Sequence, residues 1–323
     1  MTEICLSSLS GNNPLGFLCA LGTVDALSRR LPGADVRLSW TEGASPRPVI
    51  SGVASTEQIV DLVDQDRELW TGSTLLNWPD RRAPLTDLKL PRGQERSWVE
   101  EVLKRPGPQG LAEQRLLSGL IAEGALDQSG KKTKPTHLDF TAGQQRFLEM
   151  ARELATSVDA GWFHEALFGS WQSTSPLPVF GWDPEGERSY AYRATDPSAD
   201  KKQGVPGANW LGFLGLTYFP VYARAGKLLT TSCAPEWKHS HLTWPIWSPS
   251  LPPSVVRSLL RDSSITLATE RQRRMRGVRQ LLRAPIRRTD QGGYGSFGAP
   301  ALLPGNNPPD GRKGRQATAL LVR

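Results

Sequence analysis

The chain has 323 residues, a formal charge of +7 and three cysteines. That length can bury a substantial core and favours two domains or one large elaborated one, while Cys5, Cys19 and Cys233 are too few and too scattered for a disulfide framework. No window approaches the roughly 20 apolar residues of a membrane span, and the start has no basic region followed by an apolar run, so the expectation is a cytoplasmic protein without a membrane partner.

The charge is unevenly placed. Residues 1–130 carry 13 Lys/Arg against 17 Asp/Glu, whereas residues 261–323 carry 13 against 4. A basic surface confined to one end points to a polyanion or to an acidic protein neighbour.

Taken in order, Glu3 to Leu9 reads as a short buried strand, and Ser10-Gly11-Asn12-Asn13-Pro14 as a turn that delivers Asn as N-cap and Pro as first helical residue. A helix follows to about Arg30, with apolar positions suited to packing on a sheet. Val36 to Trp40 and Pro48 to Val53 read as strands, and Ser55-Thr56-Glu57-Gln58 as a capping box for a helix through Leu69. Strand, helix, strand, strand, helix is the opening of a ferredoxin-like unit, a fold that hosts many functions. The Pro-rich stretch 70–92 reads as irregular, and two helices are expected at Gln94 to Arg105 and Leu111 to Leu126. Gly130 to Pro135 is a basic loop and marks a loose domain boundary. A brief strand at Thr136 to Phe140, a helix from Ala142 to Ser157 and a shorter one at Gly161 to Gly169 come next.

The most densely specified stretch is Gly181 to Pro220. Asp183-Pro184-Glu185-Gly186 has the chemistry of a type I turn, Tyr190 and Tyr192 alternate with Ser189, Ala191 and Arg193 as in a strand, and a helical spacing resumes at Trp210. Strands are expected at Lys227 to Ser232 and His241 to Trp247, a helix at Pro252 to Arg261, and a last helix from about Ala268 to Ala284, stopped by Pro285. Beyond Thr289 the tail is rich in Gly, Pro and Asn and reads as flexible, with a final strand conceivable at Ala317 to Val322. The whole reads as an α+β chain: a ferredoxin-like unit with added helices over 1–130, a mixed α+β domain rich in Trp over 131–265, and a basic helix with a Gly/Pro-rich tail over 266–323.

The clearest chemical signal is the basic run. Arg271, Arg273, Arg274, Arg276, Arg279, Arg283, Arg287 and Arg288 fall in eighteen residues without one acid, with Arg276, Arg279, Arg283 and Arg287 at i+3 and i+4 steps. On a helix they would face outward over an apolar stripe, and guanidinium groups suit forked contact with phosphate oxygens. Alternatives are an acidic protein partner or a solvated face. Tyr294 and Phe297, on a glycine-rich loop beside these arginines, are candidates for stacking on unpaired bases. Lys131, Lys132 and Lys134, the tail group Arg312, Lys313 and Arg315, and Arg188 and Arg193 beside the tyrosines extend the candidate nucleic-acid footprint.

Signs of catalysis are poorer. His239 and His241 would share one strand face near Cys233, but no CxxC or HExxH accompanies them. No G-x-S-x-G or Walker sequence is present, and Gly293-x-Gly295-x-x-Gly298 lacks the strand-to-helix context of a cofactor loop. Asp183, Glu185, Glu187, Asp196 and Asp200 could form a carboxylate site for metal-assisted phosphodiester cleavage, yet turn formation explains the Asp-Pro pairs. The expectation is therefore no metal, no cofactor and no catalytic residue.

Five segments, LSGNNPLGFLCALGTVDAL, LDFTAGQQRFLEMARELA, GWDPEGERSYAYRATDPS, GANWLGFLGLTYFPV and LTWPIW, occur in this order between residues 9 and 247. Together they resemble a family associated with type I-G (formerly type I-U) CRISPR systems, either its accessory or large-subunit-like proteins or an extension of its helicase-nuclease. No HD motif or helicase sequence is present, so nuclease and unwinding activities do not carry over. The resemblance implies a subunit or accessory of an RNA-guided (Cascade) complex that binds CRISPR RNA, target DNA or both, alongside other effector subunits. In such complexes base pairing reads the sequence while proteins hold the backbone.

Overall fold

The computed structural model describes residues 2–184, 203–288 and 294–306. In chain order its elements are β1 (Glu3–Cys5), α1 (Pro14–Arg30), β2 (Arg37–Trp40), β3 (Pro48–Ser51), α2 (Thr56–Thr71), α3 (Thr74–Asn77), α4 (Gln94–Leu103) and α5 (Gly107–Ser118). Then come β4 (Ile121–Leu126), β5 (Thr133–Pro135), α6 (Phe147–Ser157), α7 (Ala160–Phe168), α8 (Pro206–Gly215), β6 (Val221–Arg224), β7 (Lys227–Thr230) and β8 (His241–Trp247). The chain finishes with α9 (Pro253–Arg261), α10 (Glu270–Met275), β9 (Val278–Arg288), β10 (Gly295–Phe297) and β11 (Ala301–Leu302). Helices and sheets are mixed, as an α+β fold requires. No helix among the described residues is long and apolar enough to cross a membrane.

The centre is two largely apolar helices buried on every side. α1 is buried from Pro14 to Leu27, and α8 is buried along its whole length, the pattern of helices enclosed in a core rather than lying on one. Their backbones touch: a Cβ on Gly22 would fall 1.8 Å from the Leu211 carbonyl oxygen, and one on Gly215 would fall 2.2 Å from that of Leu18. The N-terminus of α1 is fixed as its sequence predicts, with the Asn13 side chain accepting from the Leu15 and Gly16 N–H groups.

Around this pair, one continuous core runs from Ile4 to Phe297. Phe17 of α1 meets Trp40, Trp244 and Trp247 at ring-centroid distances of 5.5, 5.9 and 6.2 Å. The two indoles of β8 are also anchored, Trp244 donating to the Gly11 carbonyl and Trp247 to that of Leu38. These bonds tie β8 to the turn before α1 and to β2.

The N-terminal sheet has order β1-β3-β2, antiparallel throughout. That is the strand order with which a ferredoxin-like unit begins, but among the described residues no fourth strand pairs with the free edge of β1. A second sheet has β9 at its centre, with β8 on one side and β10 and β11 on the other.

The last region departs most from expectation. The helix expected over 268–284 is only α10; Gly277, at φ +76°, ends it, and Val278 to Arg288 is an eleven-residue strand. Leu282, Ala284 and Ile286 face the core while Arg283 and Arg287 face the other way, the period of two that defines a strand. Part of the tail expected to be flexible, 294–306, carries β10 and β11 paired to β9. The helix expected over 111–126 likewise ends at Ser118, and Ile121–Leu126 pairs with β5. Thr136 to Phe140 is a turn, not a strand.

Candidate nucleic-acid interface

The eight arginines of the basic run divide by burial. Arg271, Arg274, Arg276, Arg279 and Arg287 are exposed. Arg273 is 5% exposed, and its guanidinium donates to three carbonyls: Ile265 at 3.0 Å, Leu303 at 2.6 Å and Thr266 at 3.1 Å. It is a strut that holds α10 against the preceding turn and the segment that follows β11, its guanidinium committed to those carbonyls. Arg288 donates to the His137 and Asp139 carbonyls at 2.8 and 3.0 Å, and burial lowers its pKa to about 10. It too is structural. Arg283 is half-buried and reaches the Thr243 hydroxyl at 3.4 Å.

Among the exposed arginines, Arg276 pairs with Asp262 at 3.3 Å, Arg279 with Glu42 at 2.6 Å, and Arg274 more loosely with Glu270 at 3.9 Å. Surface pairs of this kind contribute at most about 1 kcal/mol each, so a phosphate can displace them. Arg287 lines a cleft and also engages another residue.

Phe297, expected to stack on bases, is fully buried and meets Phe140 edge-on at 4.9 Å. It is core. Tyr294 is half-buried with a partner of its own. Arg188, Arg193, Arg312, Lys313 and Arg315 lie outside the described residues, as do Glu185, Glu187, Asp196 and Asp200. Asp183 accepts from the Asn13 amide at 2.9 Å, which binds this position to the head of α1. Lys131 and Lys132 are exposed at the tip between β4 and β5.

Lys134 and Arg288, distant in sequence, meet at Trp237, each with its charged head 3.8 Å from the indole centroid. The ring's negative face draws two like charges together. His137 lies beside the same ring at 5.3 Å. Burial holds its pKa down to about 4, assisted by the positive charge of Arg288, and its Nδ1 shares a 2.8 Å hydrogen bond with the Thr230 hydroxyl. Burial also lowers Lys134 and raises Asp139. His241 is half-buried on β8 and lowered by burial. No group of three His, Cys, Asp or Glu among the described residues is placed to hold a metal ion.

Two clefts adjoin along β9. The smaller, about 600 Å³, is bordered by Glu42, Ser248, Arg274 and Arg279; the larger, about 1070 Å³, by Ser7, Ser10, Asn12, Arg47, Trp171 and Arg287. Gln280 borders both. The loop between β2 and β3 forms the ridge between them, held by Asn12 Nδ2 donating to Ala44 O at 2.6 Å and Gln280 Nε2 donating to Gly43 O at 3.1 Å. Arg47, on the far side of that loop, donates from Nη1 to the carbonyls of Ser7 and Leu9. Sequence reading missed Arg47, Trp171 and Trp237. Each is an isolated residue whose neighbours come from distant segments, so no local pattern marks it.

No family model matches the chain, and no curated protein does either.

Proposed function

We propose that the chain is a non-catalytic nucleic-acid-binding subunit or accessory of a type I CRISPR RNA-guided complex, holding the phosphate backbone of guide RNA or target DNA. The observation that carries this reading is the set of exposed arginines, Arg271, Arg274, Arg276, Arg279 and Arg287, distributed along α10 and β9 beside two adjoining clefts. Backbone holding needs fixed guanidinium groups spaced along a groove, without the metal-binding carboxylates of a nuclease. The ordered segments that resemble the type I-G family supply the CRISPR setting. The β1-α1-β2-β3-α2 order agrees with it, because ferredoxin-like units recur among CRISPR RNA-binding subunits; we read this part of the chain as such a unit lacking its last strand.

A second reading has one observation in its favour. Leu267 and Met275, 72% and 79% exposed, stand among the arginines, as on a surface that docks an acidic protein. Fluorescence polarisation with single-stranded RNA, single-stranded DNA and duplex DNA across a salt series, with and without magnesium, separates the two. Salt-steep binding with the probe left intact is expected. Absence of binding to every probe, together with association with an effector subunit that survives nuclease treatment, would replace the nucleic-acid reading with the adaptor.

A further inference from the structure

We infer that the larger cleft receives unpaired bases of a single strand, with stacking on Trp171 and a phosphate on Arg47; this deepens the nucleic-acid reading above and rests on it. The space fits. Pockets that enclose a small organic ligand measure about 300–1,000 Å³, so about 1070 Å³ holds one or two nucleotides. A duplex, with a major groove alone about 12 Å wide, could only lie across it.

The walls fit as well. Trp171 is half-buried, and its indole N–H donates to the Ala166 carbonyl at 3.0 Å, so the ring's orientation is set before any ligand arrives. Such a fixed aromatic face accepts any base. Arg47 is held through Nη1 alone, and its ion pairs among the described residues number none, which leaves the rest of its fork for an anion. Gln280 borders both this cleft and the one lined by Arg274 and Arg279, so a strand whose phosphates sit on those arginines reaches the larger space by crossing the ridge beside Gln280.

Base-edge readout by amide donors is limited there. Three amide side chains line the cleft, and each commits its NH2 group: Asn12 to Ala44 O, Asn13 to Asp183 Oδ1 and Gln280 to Gly43 O. The stacking role expected of Phe297 thus passes to Trp171.

The test compares three probes at constant length and salt: oligo-dT, the same backbone with every base replaced by an abasic tetrahydrofuran unit, and duplex DNA. The base-bearing strand should bind more tightly than the abasic strand by about five- to a hundredfold per stacked base, and more tightly than the duplex. Ala44→Ile, a bulkier but non-aromatic side chain at an exposed position on the rim, should reduce that preference while leaving abasic binding unchanged, and Trp171→Leu, in protein whose thermal melt confirms folding, should lower the affinity for the base-bearing strand toward the abasic value. Equal affinity for base-bearing and abasic strands, with the salt dependence retained, would overturn this inference and leave backbone holding intact. Binding of no probe at all would overturn both.

Discussion

Acidification should destabilise this protein through one buried imidazole. His137 is 1% exposed, and burial with the nearby charge of Arg288 holds its pKa at about 4 against an ordinary value of about 6.5. The native state therefore refuses a proton that the unfolded chain accepts. By linkage its contribution to stability is complete above about pH 6.5, falls as the pH drops through the window from 6.5 to 4, and is exhausted below it. Between pH 7 and pH 5 the loss amounts to about 2 kcal/mol, from roughly 1.4 kcal/mol per pH unit over the titrating part of the interval. Asp139 and Glu113, raised by burial, act in the opposite sense at the acid end, since their native carboxyls bind protons more readily than the unfolded ones. The comparison that isolates the histidine is wild type against His137→Gln, with urea unfolding followed by tryptophan fluorescence at both pH values. The wild type should lose about 2 kcal/mol more than the variant. Equal losses would refute the assignment of a neutral, proton-refusing His137 to the native state.

Gly22→Ala should destabilise the fold by about 3 kcal/mol or more, because its methyl would have to occupy the position of the Leu211 carbonyl oxygen; a melting temperature within 2–3 °C of wild type, on the order of 1 kcal/mol or less at this size, would show that α1 and α8 can separate without penalty. Arg273→Ala should cost about 2–4 kcal/mol by leaving three carbonyls without their charged donor, and in protein that remains folded it should leave nucleic-acid affinity unchanged. A variant of full stability with weakened binding would make Arg273 a ligand contact.

Where one local rule decides the structure, the sequence is readable. Asn13 before Pro14 predicts the head of α1, and the Ser55 side chain accepts from the Gln58 N–H as a capping residue should. The strand at His241–Trp247 and the helix ending at Arg261 follow from alternation and from prolines at a helix start. β9 misleads because its arginines recur every four residues, a spacing that satisfies both a helix face and a strand face. The deciding signal was present in Gly277, which stands inside the expected helix and adopts a left-handed conformation there. In the same way, Gly119 follows the end of α5 and Gly124, at φ +79°, interrupts the helix expected through Leu126.

The candidate site was legible as composition but not as geometry. Counting arginines identifies the basic end; it cannot separate Arg273 and Arg288, committed to backbone carbonyls, from Arg274 and Arg279 at the surface. Burial depends on partners more than a hundred residues away in the case of Arg288, whose acceptors are His137 and Asp139. Phe297 reads as a loop aromatic and is core for a related reason, since its neighbour Phe140 comes from the far side of the chain. Trp171 and Arg47 belong to the cleft only because the segment after α7, the β2–β3 loop and β9 converge there.

The central claim is that the exposed arginines of α10 and β9 hold phosphates. The measurement that tests it most directly is the slope of log affinity against log salt for a single-stranded probe, for wild type and for Arg271→Gln/Arg274→Gln/Arg279→Gln. Each phosphate contact on a single strand contributes about 0.7 to that slope, so the triple variant should bind more weakly and with a slope shallower by about 2. An unchanged slope in the folded variant would contradict the account.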